Sequence, residues 1–177
     1  MKKIDDVGSG YSIWIMPDAL EGERYADIIR LFSSTYSTPF FEPHVTLLGG
    51  LSGSEDSLIK GTSDIASSIH SFMIQFDKIG YLEEYFRSLF VLLKRDAELE
   101  HIWKAASARF HLRIDSYMPH MSLIYGFIPE EEKQEIIKKI TVNGIGNGFL
   151  AKKLALYSTE GSVERWEKIC SFDLSRI

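Results

Sequence analysis

Pro43-His44-Val45-Thr46-Leu47-Leu48 and Pro119-His120-Met121-Ser122-Leu123-Ile124 are one pattern written twice, and the reading of this pair decides the fold. The offset between the two histidines is 120 − 44 = 76 residues, and the register holds onward to Gly50 and Gly126. Only Gly49 against Tyr125 differs in kind. Each copy follows a helical pattern and a polar stretch with an aromatic near its end, Phe40-Phe41 in the first and Tyr117 in the second. The repeated unit is a helix followed by a strand, duplicated once. It is not a solenoid, which needs three or more repeats of shorter period.

Side-chain direction gives the tetrads their meaning. Proline opens an extended segment, and the apolar run after it reads as a buried strand, in which residues i and i+2 share a face. His44 and Thr46 then project from one side while Val45 and Leu47 enter the core, and His120 and Ser122 repeat the arrangement. A pseudo-twofold axis brings two imidazoles and two hydroxyls to one space across a cleft. Imidazoles titrate near pH 6.5, so one serves as base and the other as acid. The hydroxyls donate to charge growing on phosphoryl oxygens. Such a set suits the opening of a cyclic phosphodiester by water. One copy alone is weak evidence, since short motifs recur by chance and a strand histidine is more often packed or solvated. The second copy, with matching flanks, reverses that weighting.

His70, His101 and His111 have no such companions and read as ordinary residues at or near helices. His-Glu-x-x-His and paired-Cys spacings are absent, and two histidines with two hydroxyls make a poor closed zinc site. The expected reaction is metal-independent and uses no cofactor.

At these residues the chain resembles the 2H phosphoesterase superfamily, whose signature is two His-x-Thr/Ser motifs, and within it the cyclic phosphodiesterases of plant and yeast type. Supporting segments are Tyr11-Ser12-Ile13-Trp14, Phe41-Glu42-Pro43-His44, Phe90-Val91-Leu92-Leu93, Tyr117-Met118-Pro119-His120 and Glu164-Arg165-Trp166-Glu167. The resemblance implies hydrolysis of nucleoside 2′,3′-cyclic phosphates to 2′-phosphates. It also implies conversion of ADP-ribose 1″,2″-cyclic phosphate, which arises in tRNA splicing, to the 1″-phosphate. By the same resemblance His44 and His120 are the catalytic acid/base pair, Thr46 and Ser122 hold the phosphate, and Trp14, Phe86 and Tyr125 receive base or ribose. Strict alternation turns Tyr125 away from Ser122 unless the strand bends near Gly126. Glu83 and Glu84, just before Phe86, are expected to weaken binding of a highly charged ligand. Two other readings remain open: a 2′,5′-oligonucleotide phosphodiesterase or ligase-like enzyme of the same superfamily, and a non-catalytic nucleotide-binding protein.

Composition bounds the rest. With 177 residues and 45% apolar content the chain suits a single domain, residues 1–177, with two intimately packed lobes. Net charge is −5 at pH 7, and the Lys138-Lys139 and Lys152-Lys153 pairs read as solvated faces. Long nucleic acids need a basic surface, so the expected partner is a small nucleotide substrate bound by a monomer. The lone Cys170 reads as a buried structural thiol in a reducing compartment. Met1 to Asp6 turn polar at once, without the apolar region of a secretory signal. No apolar run approaches a membrane span. The expected location is the cytosol, with the nucleus allowed.

Periodicity predicts strands at Tyr11–Met16, 72–76 and 89–94, beside the two motif strands. It predicts helices near 18–36, 54–69, 97–110 and 130–140, the last begun by Pro129 and three glutamates that complement the helix dipole. After a Gly-rich connection the tail is expected to form two strands, 150–158 and 166–174. The fold class is α+β: two lobes related by a pseudo-twofold axis, each a small antiparallel sheet backed by helices, with the active-site cleft between them.

Overall fold

In the computed structural model, which describes residues 7–113 and 115–175, strands and helices alternate through most of the chain. The order is β1 (Tyr11–Met16), α1 (Ala19–Tyr36), β2 (Val45–Leu51), α2 (Glu55–Ser68), β3 (Phe72–Gly80) and β4 (Leu89–Leu93). Then come α3 (Ala97–Arg109), β5 (His120–Ile124), α4 (Glu130–Asn143), β6 (Gly148–Ala151), β7 (Lys153–Ser158) and β8 (Glu167–Asp173). Short polar side chains fix where three helices start. Asp18, Ser54 and Asp96 accept from the backbone N–H groups of Glu21, Ser57 and Glu98, which the first turn otherwise leaves without partners.

The strands form one curled sheet in the order β6-β3-β4-β5-β2-β1-β7-β8, antiparallel at every pairing. The α+β class and its two related halves are as expected. The halves are not separate sheets but four strands each, joined where β2 meets β5 through Val45 opposite Met121. The 76-residue offset reaches beyond the motif strands. Trp14 of β1 lies opposite Thr46, and Phe90 of β4 lies opposite Ser122, with 90 − 14 = 76.

Val45, Met121, Ile13, Ile15, Leu154 and Leu156 are fully buried. The helices clamp the halves crosswise, since α1 packs on β5 and α3 on β2. A motif strand is thus held by the helix of the opposite repeat.

The tail departs from expectation. The stretch 150–158 is two strands, not one, because Lys152 interrupts it: β6 pairs with β3 and β7 with β1, in opposite halves of the sheet. Apolar residues continue across the break, so composition alone does not mark it. A single intervening residue leaves Ala151 and Lys153 no more than about 7 Å apart. The sheet therefore curls until its two ends approach, and a bridge between His70 and Ser175 closes the same gap. Cys170, expected in the core, is only half-buried. Among the described residues no helix is long and apolar enough to cross a membrane.

Candidate active site

Each motif proline sets its histidine by the same local device. Proline holds φ near −65° and keeps the residue before it extended, and the chain doubles back enough for that residue's carbonyl to reach the imidazole. His44 Nδ1 lies 2.6 Å from the Glu42 carbonyl oxygen, and His120 Nδ1 lies 2.8 Å from that of Met118. A carbonyl only accepts, so each Nδ1 carries a proton and donates it. The titrating nitrogen of each ring is then Nε2. Carrying the antiparallel register one residue either side of Val45 and Met121 sets His44 opposite Ser122 and Thr46 opposite His120. The four expected side chains therefore share one face of two adjacent strands.

The surroundings of the two rings differ. His44 is 4% exposed and lies flat on Trp14, with centroids 3.5 Å apart and planes 6° apart. Its Nε2 is 3.5 Å from the Tyr125 hydroxyl. Burial drives its pKa down to about 3, with the Glu42 carbonyl opposing and His120 adding slightly. His120 is half-buried and meets the edge of Phe90 at 5.2 Å. Burial lowers its pKa too, the Met118 carbonyl opposes, and the nearby Arg87 charge adds to the lowering while Glu84 offsets it. Both rings are held toward the neutral form, His44 more firmly.

A cavity of about 380 Å³ opens over this face, lined by both histidines and by Thr46, Trp14, Phe86 and Tyr125 among others. A larger hollow of about 740 Å³ against α3 contains none of the expected site residues. Tyr125 reaches the site because β5 ends at Ile124 and the chain bends at Gly126, whose φ of 116° suits glycine alone. Burial holds its phenol well above the ordinary value, so it stays a donor.

Two of the expected residues are engaged in contacts of their own. Trp14 was expected to receive base or ribose, but it is 2% exposed, with one face on His44 and the other stacked on Tyr157 at 3.7 Å. It seats the histidine while also lining the cavity. Ser122 was expected to hold the phosphate; its hydroxyl donates to the Phe86 carbonyl at 3.0 Å. Thr46 lines the cavity, and its hydroxyl has no partner among the described residues.

Sequence reading missed four contributors. Trp166 lines the cavity, faces Phe86 at 5.6 Å with planes 28° apart, and is half-buried, so Phe86 and Trp166 form the accessible aromatic wall. Ser12 and Thr159 line the cavity and join hydroxyls at 3.1 Å. Ser12 was findable, being two residues before Trp14 on the same strand face. Arg87 had no motif to announce it. Glu83 and Glu84 do not act as a free acidic barrier: Glu83 pairs with buried Lys133 at 2.9 Å and Glu84 with Arg87 at 2.8 Å.

Among the described residues no group of three or more His, Cys, Asp or Glu side chains comes together as a metal cage. A family model described as cyclic phosphodiesterase-like protein matches residues 9–174. The cyclic phosphodiesterase of Arabidopsis thaliana is 26% identical over 172 residues, covering 93% of this chain and 95% of that protein. The fold is shared with LigT of E. coli, solved with 3′-AMP, at a TM-score of 0.58 and 16% identity over 95% of this chain and 99% of that one. A structure described as a phosphoesterase gives a TM-score of 0.59, again at 16% identity over 95% and 99%. Fold and paired motifs together define a 2H phosphoesterase. The chain belongs to the cyclic phosphodiesterase-like family, and its activity is the hydrolysis of phosphoesters.

Proposed function

We propose that this chain hydrolyses nucleoside 2′,3′-cyclic phosphates to 2′-phosphates, and ADP-ribose 1″,2″-cyclic phosphate to the 1″-phosphate, without a metal. The observation that carries the reading is the pair of Nδ1–carbonyl hydrogen bonds, which leaves two Nε2 atoms as the titrating groups of one cavity.

The more deeply buried His44 is the base. Its neutral Nε2 takes a proton from water as the water oxygen bonds to phosphorus. His120, less buried, is the acid: its Nε2–H protonates the departing 3′-oxygen as the P–O3′ bond breaks. Thr46 donates to the phosphoryl oxygen that gains charge. The Phe86–Trp166 wall receives the base, and a monomer completes the site.

Phosphorus NMR of adenosine 2′,3′-cyclic phosphate, incubated with the protein in excess EDTA, tests this. The 2′-phosphate should appear with wild type and not with a His44→Ala, His120→Ala double variant. Dependence on added metal, or product from the double variant, overturns the mechanism. Turnover of 2′,5′-linked dinucleotides in preference to the cyclic compound overturns the substrate assignment.

A further inference from the structure

Among the described residues that line the catalytic cavity, Arg87 is the only permanently charged side chain. It sits at the mouth, about two-fifths exposed, at the end of the 3₁₀ turn Tyr85–Arg87. The backbone of this turn is fixed from three directions. Ser122 donates to the Phe86 carbonyl, the Gly126 N–H to that of Tyr85, and the Leu82 N–H to that of Arg87. Lys133, 1% exposed on α4, reaches across to the Leu82 carbonyl and to Glu83. A buried ammonium and two hydrogen bonds from the second motif's own segment thus hold one guanidinium over the cleft.

The guanidinium's present partner is weakly held. Glu84 is half-exposed, and exposed ion pairs contribute only about 0–1 kcal/mol. A phosphoryl group, with two anionic oxygens sharing its charge, offers the planar fork a bidentate match that is stronger. A ribose seated by its cyclic phosphate between the two Nε2 atoms keeps its 5′-oxygen outside both rings, available to carry a group toward another residue that lines the cavity, Arg87 among them.

We infer that Arg87 is a specificity-determining residue that exchanges Glu84 for a second phosphoryl group on the 5′-oxygen of the reacting ribose. The inference rests on the functional reading above and narrows it. Of the two substrates proposed there, only the ADP-ribose compound carries a phosphoryl group at that oxygen, as would the terminal nucleotide of an RNA strand. The preferred substrate class is therefore a 5′-phosphorylated ribose cyclic phosphate rather than a plain nucleoside one.

Calorimetry tests this without relying on turnover. Adenosine 2′,5′-bisphosphate should bind wild type about ten- to a hundredfold tighter than adenosine 2′-phosphate, as expected for hydrogen bonds to a charged group. Arg87→Gln should bring that ratio close to one, and Arg87→Lys should keep part of it. Glu84→Gln should tighten the bisphosphate further by removing the competitor, a gain that misfolding cannot imitate. Equal losses for both ligands in Arg87→Gln, or no 5′-phosphate advantage in wild type, would overturn the inference.

Turnover measured in parallel separates the two claims. An Arg87-dependent 5′-phosphate gain with no hydrolysis keeps this inference and sinks the hydrolytic reading; hydrolysis with no such gain does the reverse. Comparing ADP-ribose 1″,2″-cyclic phosphate with the ApA dinucleotide 2′,3′-cyclic phosphate then identifies the source. An Arg87 effect on the first alone supports a small nucleotide, and on both an RNA end.

Discussion

The two motif copies share a backbone device and differ in everything around it. In the first, a tryptophan lies flat on the histidine and the neighbouring hydroxyl is free. In the second, a phenylalanine meets the histidine edge-on, and the hydroxyl is spent on the turn that presents Phe86 and Arg87. Duplication supplied two equivalent imidazoles; the divergence of their neighbours separates them into unequal acids. On the proposed mechanism one half holds the proton acceptor, and the other holds the proton donor and the turn with Arg87.

The largest test of that contrast is removal of either ring. His44→Ala and His120→Ala should each lower single-turnover cleavage of a cyclic phosphate by about 10²- to 10⁴-fold, the range of general acid–base catalysis. Near-normal turnover in one of them would mean that the halves do not share the chemistry. The hydroxyls should split next. Thr46→Ala should reduce kcat by roughly tenfold to a thousandfold, as loss of one transition-state donor does. Ser122→Ala should act mainly on KM, because it frees the Phe86 carbonyl and loosens the mouth. Identical kinetic signatures for both variants would break the contrast.

Emptying the aromatic seats sharpens it further. Trp14→Ala and Phe90→Ala remove side chains that are 2% and 3% exposed, and each should cost about 3–5 kcal/mol in urea unfolding. By histidine NMR titration, Trp14→Ala should raise the His44 pKa toward its ordinary value, and Phe90→Ala that of His120. A recovery at the wrong histidine would contradict the pairing.

The smallest effect is the pH profile. The proposed mechanism needs His44 neutral and His120 protonated in the free enzyme. With His44 near 3 and His120 below its ordinary 6.5, kcat/KM should already be falling as pH rises toward 7. Stability has the opposite slope. The unfolded chain binds a proton at His44 that the folded chain refuses, so folding free energy should weaken as pH drops from about 6.5 toward 3. Chemical denaturation of His44→Gln across that window should show a shallower dependence.

Much of this was legible because strands and helices announce themselves by period. β1 falls on Tyr11–Met16 as read, and three helices begin at Ala19, Glu55 and Ala97, within a residue of where periodicity set them. Alternation also placed His44 with Thr46 and His120 with Ser122. What alternation leaves out is what lies across the face. Trp14 reads as a platform until Tyr157, distant in sequence, covers its other side. Nor does alternation reveal that the turn 85–87 offers Ser122 the Phe86 carbonyl. Arg87 and Trp166 come from irregular segments, where no period places a side chain. The split at Lys152 escaped for a related reason: hydropathy records burial, not which half of the sheet does the burying.

That split governs the order in which the molecule is built during synthesis. β6 completes the half that holds the second motif, and β7 and β8 complete the half that holds the first, so both halves await strands from the end of the chain. A nascent chain that has displayed both histidines still lacks the outer strands on each side, and its open edges at β1 and β3 are surfaces for mispairing. Residues 148–173 close both edges within a span of 26 positions (173 − 148 + 1). The catalytic cleft is therefore assembled nearly all at once, late, and by the segment that contains none of its histidines.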